Sequence, residues 1–476
     1  MRDIIVFVGL LAFIPLAGIR PILCIYLWTW FAIMNPHREA YSFAQTLPYN
    51  KMIAAVSLVS IALSAQKKRL PGGILQWVLF AFFAWITLVT FRGTQFPDYS
   101  QEFYQSRILP VIVFLVLTLM VIDSRIRLHG LVWVYCIALG WHAVKLAIVT
   151  VASGGNIGSF LSFGPVGTMI EDRNHFALAI LMIVPLCYYL YLQSAHRLAR
   201  IAALIVAGCA VVSVLGTFSR GGLVGMVAMA GYMWLNTRHK IWTGLAAVLI
   251  GLGAIALMPG EYKERMLSIV QVLEPDEPWR ESDPDASFQS RLSAWCMAYD
   301  VAKTHPVTGG GLRVVQHPEA PDLYGHPGCP LYGTVDWVNR AVHSIYFEVA
   351  SDLGFVGLGL FLAMPLLLWW TTLRIEWRAR GNPELAWAAD LGRMLRVSII
   401  AYFVSGGLLS MAYYDGYYTI VVMTICLWAV VRRQEESTIT DEKNIRHGGW
   451  LNRAGWELPP GARPSAARST SETSAP

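Results

Sequence analysis

The chain has 476 residues, of which 55% are hydrophobic and 14% charged. Soluble domains carry about 25% charged residues, so this deficit excludes an ordinary soluble enzyme and predicts an all-α polytopic membrane protein. The formal net charge of +6 does not point to nucleic acid: Lys and Arg mark cytoplasmic loops in membrane proteins, and no basic face interleaved with aromatics is present.

A spanning helix needs about 20 apolar residues. Taken in chain order, apolar runs predict spans at 4–19, 21–34, 52–65, 73–90, 108–122, 130–152, 176–193, 201–218, 222–235, 241–258, 344–373, 394–411 and 417–431. The first two are short and read as tilted or half-inserted, so about 12–13 transmembrane helices are expected. The first run has no small-residue cleavage site, so no cleavable signal peptide is expected.

Basic residues set the orientation. Lys67-Lys68-Arg69, Arg125 with Arg127, Arg197 with Arg200, Arg238 with Lys240, Arg374-Arg378-Arg380 and Arg432-Arg433 alternate with the spans from the third onward and read as cytoplasmic. The opposite loops, 35–51, 92–107, 154–175, 219–222 and 259–342, then face the periplasm. The expected organisation is an N-terminal transmembrane region at 1–128 and a core at 129–432 that includes the large loop. A disordered cytoplasmic tail at 433–476, rich in Ser, Pro, Ala and Thr, completes it.

Loop 259–342 is far longer than a usual connection, and such loops are functional or disordered. Within it, 287–304 reads as a helix, with Phe288, Leu292, Trp295 and Tyr299 near a 3.6 period. His305-Pro306 and Gly309-Gly310-Gly311 end that helix. Cys24, Cys136, Cys187, Cys209 and Cys426 lie in apolar runs, where Cys is a small hydrophobe. Cys296 and Cys329 fall in the loop. They are expected as two free thiols, with a disulfide as the alternative on an exported loop.

Several motifs share one order and spacing. They are Ser219-Arg220-Gly221-Gly222, Arg291 with Trp295, the glycine turn, and His343-Ser344 before a Leu- and Gly-rich helix. Together they resemble the O-antigen ligase and polymerase superfamily. Met1-Arg2-Asp3 and Met34-Asn35-Pro36-His37-Arg38 are similar to the narrower O-glycosylation ligases of exosortase A systems. The resemblance covers roughly residues 1–432. It implies a GT-C-like membrane glycosyltransferase whose donor is a glycan on undecaprenyl pyrophosphate. The acceptor hydroxyl would belong to a protein Ser or Thr or to a lipid-linked glycan. A polysaccharide polymerase with the same donor is the alternative, and a lipid-glycan transporter is a third reading.

The resemblance also assigns roles. His343 matches the superfamily's catalytic histidine; by position alone it reads as a histidine at a helix mouth. An imidazole accepts protons near neutral pH. Arg220 and Arg291 would hold the donor pyrophosphate, because guanidinium forks match phosphate oxygens; snorkelling to headgroups is the bland reading. Gly221-Gly222 reads as a close backbone approach to ligand. Arg173, Arg313 and Arg340 are further phosphate candidates, and Asn174, Ser219 and Tyr346 are substrate-binding candidates. Asp172 reads equally as a helix N-cap. Tyr346, Trp337 and Trp295 would stack on sugars or, more simply, pack at the membrane surface. His142 and Lys145, three apart in a predicted span, are structural partners on this reading. No cofactor is expected. No HExxH occurs, and His305, His317 and His326 lack companions at metal spacing, so no metal is expected. Glu39 remains the one open acidic ligand.

Overall fold

The computed structural model describes residues 2–65, 70–155, 163–237, 239–242, 244–245, 286–329 and 341–453. Most of the predicted span 241–258 lies outside these residues. So do Lys67-Lys68-Arg69, Arg238, Trp337, Arg340 and the tail from 454. The described chain is helical and shows no strand. Contacts divide it into two compact units, Met1–Ala429 and Val430–Pro476.

The longer helices run in order: α1 (Arg2–Ile19), α2 (Pro21–Met34), α3 (Tyr49–Leu63), α4 (Ile74–Leu88), α5 (Pro97–Phe103), α6 (Leu109–Val121), α7 (Arg125–Ala152), α8 (Arg173–Gln193), α9 (Arg197–Gly216) and α10 (Arg220–Leu235). After the undescribed stretch come α11 (Ala286–Thr304), α12 (Ala320–Tyr324), α13 (Ile345–Ala379), α14 (Ala386–Gly406) and α15 (Asp415–Arg453). Eight stretches among the described residues are long and apolar enough to cross a membrane. This is a multi-pass membrane protein. Several other predicted spans are weaker as built: α2 and α3 are only 14 and 15 residues long, and α14 carries Asp390, Arg393 and Arg396.

Apolar patterning explains the layering. α8 is buried along nearly its whole length, from Phe176 to Leu190, and packs against α7, α9, α10 and α14. A helix apolar all round belongs inside a bundle. α1 and α9 instead expose Val8, Leu11, Leu198 and Ile205, a surface costly in water and matched to lipid. The sequence predicts disorder from residue 433, but α15 continues helical to Arg453. An i,i+4 pair, Arg432 to Glu436 at 3.3 Å, supports its extension.

The turns sort into two ends. At one end Arg125 lies 5.0 Å over the Trp387 ring and bonds Gln193, and Gln193 bonds Asp390. This gathers the starts of α7 and α14 with the end of α8, where the basic loops were predicted. At the other end the amide of Gln95 donates to Gly310 at 2.8 Å, and Arg107 donates to Gly167 at 3.1 Å. Translational fusions test the orientation. A reporter near Asp322 is expected to be active only if it works outside the cytoplasm, and one near Gly381 only if it works inside. Equal signals from both sites would sink this topology.

Helix α13 is broken at Gly354, which has φ 68° and ψ −174°. The break exposes backbone groups that must be paired within a membrane. The loop's glycine turn pairs them: Gly310 donates to Ser351 (2.8 Å), Gly311 to Asp352 (3.1 Å), and Phe355 to Pro306 (2.8 Å). A Cβ at Gly354 would sit 2.3 Å from the Val307 carbonyl, and one at Gly309 would sit 2.5 Å from Ser351. Only glycine lets two backbones approach so closely at positive φ. The large loop is thereby seated on the start of α13.

Candidate functional site

Arg173 opens α8, Arg220 opens α10, and Arg291 lies on α11. All three are half-buried, and the fold brings them together. Burial pushes the Arg291 guanidinium below its ordinary pKa. Arg220 and Arg173 push it further down, and Asp172 pulls the other way. Like charges so close repel one another, and the Asp172 carboxylate offsets part of that repulsion at Arg291.

Local capping fixes two of these arginines. Asp172 is the N-cap of α8, its carboxylate accepting the amides of Asn174 (2.8 Å) and His175 (3.3 Å). Burial would raise the Asp172 carboxyl, but His175 and these amides outweigh it and hold the group low. Asn174 leans its side chain on the same carboxylate. Ser219 is the N-cap of α10, accepting the Gly222 amide at 3.0 Å, and is 2% exposed. Its hydroxyl oxygen is thus engaged in holding the helix start that carries Arg220. The glycines after Arg220 serve close helix packing: a Cβ on Gly222 would meet Ala177 of α8 at 2.7 Å, and Gly221 faces Ser405 and Leu408.

His343 stands at φ 54°, an uncommon conformation for a non-glycine residue, directly before α13. Its amide donates to Ser410 Oγ at 2.6 Å. Ser410 belongs to the turn joining α14 to α15, and Gly221 next to Arg220 packs on the start of that same turn. The turn therefore meets both the His343 backbone and the start of α10. Phe218, just before Ser219-Arg220, also has φ 54°. Such strain costs about 1–3 kcal/mol per residue and clusters at functional sites.

Tyr346 is half-buried and donates its hydroxyl to the Phe403 carbonyl at 2.9 Å. Trp295 stacks on Phe347 at 5.4 Å, docking α11 onto α13. Arg313 lies apart from the three-arginine group. It sits over Tyr99 and Phe103 (both 5.3 Å), bonds Gln316, and neighbours Arg107. Glu39 pairs with Lys145 at 2.9 Å and His142 at 3.6 Å, so these two α7 residues anchor the 35–48 turn.

Two groups escape sequence reasoning. Glu348 and Asp352, four apart on α13 and buried, accept the Ala412 amide (3.0 Å) and the Tyr413 hydroxyl (2.9 Å). They pin the turn that bears Ser410. Their i,i+4 spacing was the available signal. Cys296 and Cys329 are bridged, which corrects the expectation of free thiols. α11 brings them together with Asp300 and His326, which are 2.8 Å apart, in a group whose ligand-type atoms all lie within 4.8 Å. His326 therefore has companions that its sequence spacing hides. Cys296 and Asp300 come from a helix about 30 residues away, and Cys329 lies three residues on from His326.

Residues 204–362 match a family described as O-antigen ligase. Those residues are similar to that family, which supports an O-antigen ligase-like domain over that stretch. The matched stretch carries the helix start at Arg220, the arginine helix, the glycine turn and His343. Residues 1–195 match a family of unknown function (DUF5935). A search of curated proteins found no match. This likeness supports a membrane glycan ligase or polymerase activity in general.

Proposed function

We propose that the protein is an oligosaccharide ligase of the bacterial inner membrane, working at the periplasmic face. It would move a glycan from undecaprenyl pyrophosphate to a hydroxyl of a protein or lipid acceptor. The observation that carries this reading is the convergence of Arg173, Arg220 and Arg291 from three helices. A diphosphate joins such cations by charge-assisted forks. In the transfer step the acceptor oxygen bonds to the anomeric carbon, and the bond from that carbon to the pyrophosphate oxygen breaks. His343 takes the acceptor proton, and the arginines receive the leaving diphosphate. No divalent metal enters this step. The likeness of Met34–Arg38 to O-glycosylation ligases favours a protein Ser or Thr as acceptor. A polymerase would share the donor chemistry and differ in acceptor.

Lysine substitution tests the arginine role. A point charge cannot reproduce the planar fork, so Arg220→Lys and Arg291→Lys are each expected to lose about 1.5–3 kcal/mol of donor interaction. The measurement is glycan transfer in proteoliposomes supplied with lipid-pyrophosphate donor and excess chelator. Wild-type rates from both variants would remove the pyrophosphate role. Activity that vanishes with chelator and returns with magnesium would remove the metal-free step.

A further inference from the structure

The Asn35–Arg38 segment is unused by the pyrophosphate reading, and its Asn35 lines a pocket. Asn35 ends α2 in the left-handed conformation, with its side-chain amide donating to Ala32 at 2.8 Å. His37 is buried, and burial, followed by Arg38, pushes its imidazole down to about 4. It thus adds no charge near neutral pH. The pocket lies between α2, the starts of α3, α6 and α15, and the 168–170 turn. It offers about 100 Å³ of accessible space behind an open mouth.

Opposite charges line this space. Arg107 and Asp415 are electrostatic neighbours, but no direct ion pair joins them among the described residues. Arg107 bonds the Gly167 carbonyl (3.1 Å), and Asp415 accepts the Gly416 amide (3.0 Å). The rest of the lining is acceptor-rich. The hydroxyls of Thr29, Thr168 and Thr419 each spend their single proton on a backbone carbonyl, at 2.7–2.8 Å, and so keep only lone pairs for any further partner. Asn50 Oδ1 is buried without a hydrogen-bond partner, a state that costs free energy until a donor arrives. Trp28 and Phe114, with ring centroids 5.6 Å apart, supply an apolar wall.

The occupant must therefore be neutral overall, rich in O–H donors, and partly apolar on one face. A carboxylate brings no donors, a phosphate brings only its P–OH protons, and the charge of either meets Asp415. A sugar ring supplies hydroxyls for Asp415, Asn50 and the threonines, acceptor oxygens for Arg107, and C–H surface for the aromatic wall. We propose that this pocket binds a neutral pyranose, as a glycan subsite separate from the three-arginine group. It shares no side chain with that group, so each reading can fail without the other.

The test is ligand-observed saturation-transfer NMR on the full chain in detergent. The probes are glucose, galactose, mannose and N-acetylglucosamine, with inorganic phosphate as the anion probe. At least one sugar is expected to bind wild type. Asp415→Asn and Arg107→Gln should each weaken it about tenfold or more, as for a lost bond to a charged group. Asn50→Ala, which leaves both charges in place, should weaken it severalfold and guards against a folding defect in the charge variants. Arg291→Lys should bind the sugar as wild type does. Failure of all four sugars to bind wild type would overturn the proposal. Unchanged affinity in Asp415→Asn and Asn50→Ala would overturn it too, as would binding of phosphate alone that Arg107→Gln abolishes.

Discussion

His343→Ala is expected to lower glycan transfer by about 10²–10⁴-fold, the range for loss of a positioned proton acceptor. Insertion should be unaffected, because the His343 backbone, not its ring, makes the bond to Ser410. Alanine tolerates positive φ less well than histidine, so His343→Asn is the companion variant. It keeps the left-handed preference without supplying the same base. Donor binding should survive in both, since the diphosphate meets arginines on other helices. Wild-type turnover should also fall as acid protonates the ring, which then has no lone pair to offer. The measurement is transfer at matched membrane levels across the mildly acidic to mildly alkaline range. Near-normal turnover in both variants, with the wild-type pH profile retained, would return His343 to a packing residue at a helix mouth.

Removing the Cys296–Cys329 bridge is expected to loosen the arginine helix. The bridge closes a loop with a sequence separation of 33 residues. The chain-entropy relation for that length gives about 3–4 kcal/mol. α11 otherwise holds to the core through a modest cluster that includes Met297, Ala298 and Val301 against Val314, Val315 and Tyr324. Amide hydrogen exchange across 286–304 and 320–329 should therefore speed up in Cys296→Ser/Cys329→Ser, while α8 and the buried part of α15 keep their protection. Transfer should fall in parallel as Arg291 loses its fixed position. A reduced wild-type sample needs a chelator present. Its two thiolates, with the Asp300 carboxylate and the His326 imidazole, would offer four ligand types that zinc binds. Unchanged exchange in the serine double variant would show that packing alone seats the helix.

Membrane class and the arginine helix were readable from local pattern. Apolar runs separated by basic turns need no tertiary information, because the bilayer sets the length and composition of each span. Helix 287–304 was readable from its 3.6 period, and the structure gives Ala286–Thr304. The glycine turn was visible as a helix terminator, but its use was not. It closes the break at Gly354, a contact between segments over 40 residues apart in which the sequence signal is only two glycines. Gly221-Gly222 suggested a ligand approach, but the nearest atoms belong to α8 and α14, since close helix packing and close ligand approach demand the same missing Cβ.

The sequence by itself determined the solvent this chain lives in, the positions of most helices, and the types of side chain available for phosphate and proton chemistry. These follow from composition and periodicity, which act over a few turns of chain. Only the tertiary structure decided which arginines meet. Arg173, Arg220 and Arg291 converge, while Arg313 turns to Tyr99 and Phe103 beside Arg107. It also decided that Cys296 and Cys329 are bridged and that Glu348 and Asp352 hold the turn beneath His343. The physical reason is range. A hydrogen bond or ion pair needs its partners within a few ångströms, and distances between residues far apart in sequence are set by how helices pack, not by any local pattern.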